Sequence, residues 1–230
     1  MIYTLTLNPA LDLELQIEQF AFNSVARASH SQRDCGGKGL NVSRMLRHLN
    51  VDSIAMGFVG GYNGQRLQSD LTALGVQTLF TPIAAETRTN VSIVATGSSQ
   101  HIKVNEAGPV VSVTEWDQLI STIKQYLTPG DWWVLAGSLP QGVPDMAYAD
   151  LITLIEGAGA YVILDASGAA FYHGCLAKPS LIKPNLEEAH QLMALTPELS
   201  GKWSLTQMMQ SQDWVRDLLT IGPKQLVVSL

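Results

Sequence analysis

Six short apolar runs, with almost no polar interruption, punctuate the chain at residues 2–7, 54–59, 132–136, 161–164, 181–182 and 226–230. Runs of this length suit strands buried on both faces, as in a parallel sheet. Helical spacing fills the intervals. Val42, Met45, Leu46 and Leu49 fall at i, i+3, i+4 and i+7 and predict a helix beginning near Val42. Leu67, Leu71 and Leu74 follow the same spacing with one gap, and residues 116–127 and 146–155 read as amphipathic helices. Alternating strand and helix predict an α/β fold around a mostly parallel sheet.

Two stretches depart from this rhythm. Leu13, Leu15 and Ile17 alternate with Glu14, Gln16 and Glu18, the period of a half-buried strand. Residues 89–96 and 101–105 read as two more strands around the turn Gly97-Ser98-Ser99. They predict a small second sheet with one wet face, a lid or dimer surface; an edge hairpin of the main sheet is the alternative. The sequence shows no internal repeat and no low-complexity tract.

Composition narrows the class. The 230 residues are 46% hydrophobic and 15% charged, enough apolar surface to offset ordering entropy. That length fits one large domain or one domain with a small appendage. A formal net charge of −6 leaves no strongly basic face for a nucleic-acid backbone. Cys35 and Cys175 cannot build a disulfide framework or a four-ligand zinc site, and they fit a reducing compartment. The N-terminal residues lack the basic region and apolar core of a signal peptide, and no run of about 18 apolar residues occurs. A cytoplasmic location without membrane contact is the expectation.

The residues following the apolar runs are polar and small: Asn8-Pro9-Ala10-Leu11-Asp12, Gly60-Gly61-Tyr62-Asn63-Gly64, Gly137-Ser138-Leu139-Pro140, Asp165-Ala166-Ser167-Gly168 and Lys183-Pro184-Asn185. Open parallel sheets bind ligands beyond the carboxyl ends of their strands, so a polar small-molecule site on that edge is expected. Each segment alone also reads as a turn. Gly36-Gly37-Lys38-Gly39-Leu40-Asn41 leads into the predicted helix, where glycines allow close backbone approach and the helix start favours an anion or polyol oxygen. It is no Walker A loop, because Gly39 stands where Ser or Thr is needed. It is no dinucleotide fingerprint either, because residues 29–34 are too polar for the preceding core strand, which disfavours a nicotinamide-dependent dehydrogenase. The five histidines show no metal-ligand spacing, and the Trp132-Trp133 pair reads as core.

Gly36-Gly37-Lys38-Gly39-Leu40-Asn41-Val42-Ser43, with Gly60 beyond it, resembles the first signature of the ribokinase-like carbohydrate kinases, the phosphofructokinase B family. Asn50 stands where that signature has Gly or Ser, and Asn is the next-best residue for a left-handed helix end. Residues 4–12, Glu86-Thr87-Arg88-Thr89-Asn90, 136–140 and 182–188 extend the similarity along the chain, most of all to bacterial 1-phosphofructokinases and next to tagatose-6-phosphate kinases. The resemblance implies one ribokinase-like domain over 1–230, a three-layer α/β/α sandwich with lid segments near 11–35 and 87–106. It implies ATP-dependent phosphorylation of a ketose phosphate, fructose 1-phosphate first and tagatose 6-phosphate as the alternative, with Mg²⁺ required. A non-catalytic sugar-phosphate-binding fragment is the reading from a different class.

Carried over residue by residue, Asp12 faces sugar hydroxyls, Gly37, Lys38 and Asn41 hold the rest of the sugar, and Arg88 clamps the phosphate already present. Lys103 and Ser138 are further substrate candidates. Lys183, Asn185 and Ser229 fall on the nucleotide side, and Glu188 acts on Mg²⁺ through water. Asn185 and Glu188 equally read as a helix N-cap and its capping box. Asp165, ending a strand beside these groups, reads first as a turn aspartate, with a role near the nucleotide or metal as the alternative. The resemblance also implies a homodimer through the lid. The family's second signature, a Gly-Ala-Gly-Asp helix start carrying the catalytic base, has no counterpart; Gly157-Ala158-Gly159-Ala160 reads as a helix end. The expectation is therefore a C-terminally truncated member whose base lies beyond Leu230 and which does not turn over alone.

Overall fold

The computed structural model describes residues 1–21 and 23–229. Six parallel strands form the main sheet, β1 (Ile2–Thr6), β4 (Ile54–Val59), β5 (Gln77–Pro82), β8 (Trp132–Ala136), β9 (Tyr161–Asp165) and β10 (Leu181–Ile182). Their order is β10-β9-β8-β1-β4-β5. The chain starts at the centre, builds outward to β5, then crosses back to β8 and builds the other way. The switch falls between β1 and β8, the position where such sheets open a crevice at their carboxyl ends.

Strand alternation sorts the two faces. Tyr3, Leu5 and Leu7 join Met56, Phe58, Trp133, Leu135, Val162 and Leu164 in the larger core, covered by α3 (Val113–Tyr126), α4 (Ala147–Gly157) and α5 (Gly168–Leu176). Trp133 is fully buried and stacks on Tyr3 at 4.3 Å between ring centroids. On the opposite face Ala55 and Val59 meet Leu40, Leu67 and Leu71 of α1 (Lys38–His48) and α2 (Gly61–Ala73). There Thr4 packs on α1 through a 2.7 Å hydrogen bond between its hydroxyl and that of Ser43. The result is a three-layer α/β/α sandwich. Three further helices follow, α6 (Leu186–Leu195), α7 (Leu205–Gln210) and α8 (Trp214–Thr220).

A separate four-stranded sheet, ordered β3-β2-β6-β7, is built from β2 (Ala10–Ile17), β3 (His30–Gly36), β6 (Arg88–Ala95) and β7 (His101–Asn105). Register gives it two unlike faces. Asp12, Asp34 and Asn90 lie side by side on one, with Glu14, Gln32 and Ser92 in the next row and Lys103 beyond. Leu13, Val91 and Val104, then Leu15, Ile93 and Ile102, line the other.

Several expectations shift. The first helix begins at Lys38 rather than near Val42, since Gly37 is its N-cap and Gly39 and Leu40 are buried in its first turn. β3 and β5 carry too many polar residues to show as apolar runs, because β3 belongs to the wet sheet and β5 is an edge strand. Residues 226–229 make only bridges beside β10, at Leu226 and Ser229, and Leu230 lies outside the described residues. Trp132 is 38% exposed and stacks on Tyr161, so only one tryptophan of the pair is core. Asn50 ends α1 with φ 58°, as its left-handed role requires. Gly157-Ala158-Gly159-Ala160 closes α4 and turns into the start of β9, at the end of the sheet away from Lys183 and Asp165.

Candidate active site

Glu86-Thr87-Arg88-Thr89-Asn90 enters β6 beside the carboxyl ends of β1 and β4, and each of its side chains is hydrogen-bonded. Glu86 accepts from the backbone N–H of Tyr62 and Asn63, satisfying the otherwise open start of α2. Thr87 accepts from the Gly60 N–H at 3.0 Å. Arg88 donates from Nη1 to the Glu106 carbonyl at 2.8 Å and from Nη2 to the Asn8 carbonyl at 3.0 Å. Thr89 accepts from the Asn63 amide at 3.1 Å, and Asn90 donates to the Asp12 carboxylate at 2.8 Å.

Asp12 and Lys103 line one hollow of about 260 Å³ on the polar face of the second sheet, with Glu14, Gln32, Asp34 and Asn90. The Asn90 side-chain oxygen and the Arg88 Nε are buried without a partner. Burial lowers the Arg88 guanidinium from its ordinary value, against the raising effect of Asp12 and Glu106. An unpaired buried guanidinium nitrogen is costly, and Arg88 does not line the hollow itself. Gly36 borders the same carboxylate: a Cβ there would stand 2.4–2.6 Å from the Asp12 carboxyl atoms. Gly37 has φ 143°, which an L side chain rarely adopts, and a Cβ on Gly39 would meet the Thr6 hydroxyl at 2.5 Å.

Lys38 turns elsewhere. Its ammonium lies 2.6 Å from Asp165 Oδ1 and 3.3 Å from Glu188 Oε1, and Lys183 lies 3.2 Å from Asp165 Oδ2. Burial would lower the Lys38 ammonium, but the hydrogen bond and charge of Asp165, joined by Glu188, hold it above the ordinary lysine value. Asn185 caps α6 by accepting from the Glu188 N–H at 2.7 Å, while Glu188 Oε2 accepts from the Asn185 N–H at 2.9 Å. Glu188 thus completes a capping box with one oxygen and faces Lys38 with the other. The Ser229 N–H donates to the Pro184 carbonyl beside this cap.

Sequence reasoning placed Lys38 on the sugar; the contacts group it with Lys183, Asp165 and Glu188. Asn41 lines a separate open groove along α1 with Arg44, Met45 and His48, and its side-chain oxygen accepts from Arg44 at 3.4 Å. Ser138 accepts from the Asn8 amide at 3.2 Å, next to the Arg88 anchor. Sequence motifs give Asn8 no role, and of the two readings of Asp165 they favour the turn. Asn8 ties Ala107, Ser138 and Leu139 to the end of β1 and gives its carbonyl to Arg88. Asp165 collects both lysines, and the signal for it was its place after a buried strand.

Two carboxylates converge on one cation, and no group of three or more His, Cys, Asp or Glu side chains is arranged for a metal among the described residues. That set fits Mg²⁺, which keeps several waters and takes one or two carboxylates plus phosphate oxygens. Two ammonium groups and the start of α6 gather beyond the carboxyl ends of β9 and β10, the edge of an α/β sheet where phosphate groups are favourably placed. The chain belongs to the pfkB family of carbohydrate kinases, whose model matches residues 6–230. It is 36% identical over 195 residues to tagatose-6-phosphate kinase of Staphylococcus epidermidis, covering 84% of this chain and 62% of that protein. It is 33% identical over 230 residues to 1-phosphofructokinase of Bacillus subtilis, covering 100% of this chain and 72% of that protein. The structure of Escherichia coli phosphofructokinase-2 in complex with substrates and products superposes with a TM-score of 0.89 at 29% identity, over 100% of this chain and 72% of that one. The fold is therefore ribokinase-like. Among the described residues no helix is long and apolar enough to cross a membrane.

Proposed function

We propose that the chain carries the sugar- and phosphate-binding parts of a kinase that transfers the γ-phosphoryl group of ATP to fructose 1-phosphate, giving fructose 1,6-bisphosphate. The observation that supports it most is Arg88, whose guanidinium is fixed by the Glu106 and Asn8 carbonyls and carries a positive charge next to Asp12 and the end of β1. A guanidinium fork suits the phosphate already on the substrate, and Asp12, fixed by Asn90, suits its hydroxyls. Ser138 and Lys103 border the same ligand, and Gly37 leaves room for it. Asn41 lies on the groove side of α1, apart from the Asp12 hollow, and remains a candidate for the sugar only by the resemblance.

On the other side, Lys183 and Lys38 bind phosphate oxygens of the nucleotide, and Asn185 and Ser229 fix the backbone against which they lie. Glu188, with Asp165 beside it, would hold Mg²⁺ through water, and the ion would supply charge neutralisation on the phosphates. Phosphoryl transfer depends on positioning and charge stabilisation, which these residues supply. No residue of 1–230 is assigned as the base for the acceptor hydroxyl.

Tagatose 6-phosphate is the second reading, favoured by the 36% identity to a kinase of that sugar. Calorimetry with fructose 1-phosphate, tagatose 6-phosphate and fructose decides between them. The expected order is fructose 1-phosphate tightest and unphosphorylated fructose undetectable; equal binding of fructose and its phosphate refutes the role of Arg88. The two lid segments, near 11–35 and 87–106, are proposed to cover the sugar and to pair with those of a second copy through the apolar face. There Ile102 and Val104 are 44% and 58% exposed. Sedimentation showing monomer alone at micromolar concentration would refute that pairing.

A further inference from the structure

The two lysines on Asp165 are not equivalent. Lys183 meets that carboxylate alone, whereas Lys38 bridges it to Glu188, standing where carboxylates from the end of β9 and the first turn of α6 converge. The acids are anchored and mostly covered, each 14% exposed, while Lys38 is 44% exposed on a flexible four-carbon stem. Glu188 is further fixed by its capping box, so of the three groups Asp165, Glu188 and Lys38 the lysine is the one free to move.

We infer that Lys38 is a tethered counter-ion that fills the cation position between Asp165 and Glu188 and yields it to a divalent cation. Two anchored carboxylates facing one position repel each other and attract any available cation. A built-in ammonium removes that repulsion and keeps a free metal ion out when no nucleotide accompanies it. Displaced, the ammonium stays at the start of α1, where its charge adds to the positive helix end and serves phosphate oxygens. This rests on the kinase reading of the site.

The test is Mn²⁺ binding to the full chain without nucleotide, read by electron paramagnetic resonance of free Mn²⁺. Lys38→Gln is expected to bind Mn²⁺ at least about tenfold more tightly than wild type, because one positive charge leaves the position. Lys38→Arg keeps the charge and is expected to stay at the wild-type level, and Lys183→Gln to gain less than Lys38→Gln. Adding Glu188→Gln to Lys38→Gln is expected to abolish the gain. Equal Mn²⁺ affinity in wild type and Lys38→Gln overturns the inference, as does an equal gain in Lys38→Arg or a gain that survives Glu188→Gln. Should it fall, calorimetry of Mg-ATP on wild type decides the rest: binding leaves the kinase reading standing, and no binding removes both.

Discussion

Replacing Gly36 by Ala probes the contact on which sugar binding is proposed to rest. The new Cβ would stand 2.4, 2.5 and 2.6 Å from Asp12 Oδ1, Cγ and Oδ2, so the carboxylate has to retreat by about 1 Å to reach ordinary van der Waals separation. That movement stretches the 2.8 Å bond from Asn90 beyond hydrogen-bonding range. A hydrogen bond to a charged group contributes about 1.5–3 kcal/mol, so a misplaced Asp12 should weaken fructose 1-phosphate by about 10- to 100-fold. Stability should change by less than about 1 kcal/mol, because Gly36 lies outside the left-handed region and the group that gives way is a side-chain end. Gly39→Ala is the control: its Cβ meets the Thr6 hydroxyl at 2.5 Å and the Leu5 carbonyl oxygen at 3.2 Å, an overpacking worth about 1–3 kcal/mol. Calorimetry and thermal denaturation on the two variants separate the effects. Wild-type affinity in Gly36→Ala, with the fold intact, would refute the assignment of Asp12.

Arg88→Lys should bind fructose 1-phosphate about 100-fold more weakly, since one ammonium cannot hold both carbonyls and present a fork, and calorimetry reads the loss directly. Glu115 is held below the ordinary carboxylate range by the Ser112 backbone N–H and hydroxyl and by the Ala84 N–H. Its stabilisation is therefore full above the unfolded glutamate value near ~4.3 and lost as pH falls through the lower folded value. Denaturation of wild type against Glu115→Gln should show the wild type losing more stability over about pH 5 to 3. With no base assigned among residues 1–230, fructose 1-phosphate should bind to this chain in calorimetry without being phosphorylated in a coupled ATP assay, and turnover would show that one of these residues serves as base.

The main sheet was largely legible because β4 and β8 are buried on both faces and carry no polar residue to obscure the run. β5 was not, because Gln77, Thr78 and Thr81 serve an edge where burial is incomplete. β3 was hidden for a related reason: its polar residues face the hollow and solvent, which leaves no apolar alternation to read. α5 was missed because Gly168 and Gly174 lie within it, the latter admitting the Leu164 side chain closely. At the site, single residues were legible from motifs, but their grouping was not. Lys38 and Gly37 are adjacent in sequence, yet a long side chain lets the lysine answer to Asp165 and Glu188, which lie more than a hundred residues away. Spacing along the chain carries no information about such a reach.

That adjacency explains how one short segment serves two ligands. Gly36 ends a strand of the small sheet and presses on Asp12; Lys38 opens α1 and reaches Asp165 and Glu188. Two residues of extended chain span at most about 7 Å, so the sugar hollow and the carboxylate pair cannot drift far apart while the segment holds its shape. Thr6 clamps it from below: its side chain touches the space beside both Gly37 and Gly39, where added Cβ atoms would stand 2.9 and 2.5 Å away. Any larger residue at Thr6 should push on both glycines at once and separate the two half-sites without altering a single ligand-facing group. Thr6→Leu should therefore weaken sugar phosphate in calorimetry and loosen the Lys38 contacts together. Loss of one with the other unchanged would show that the halves are positioned independently.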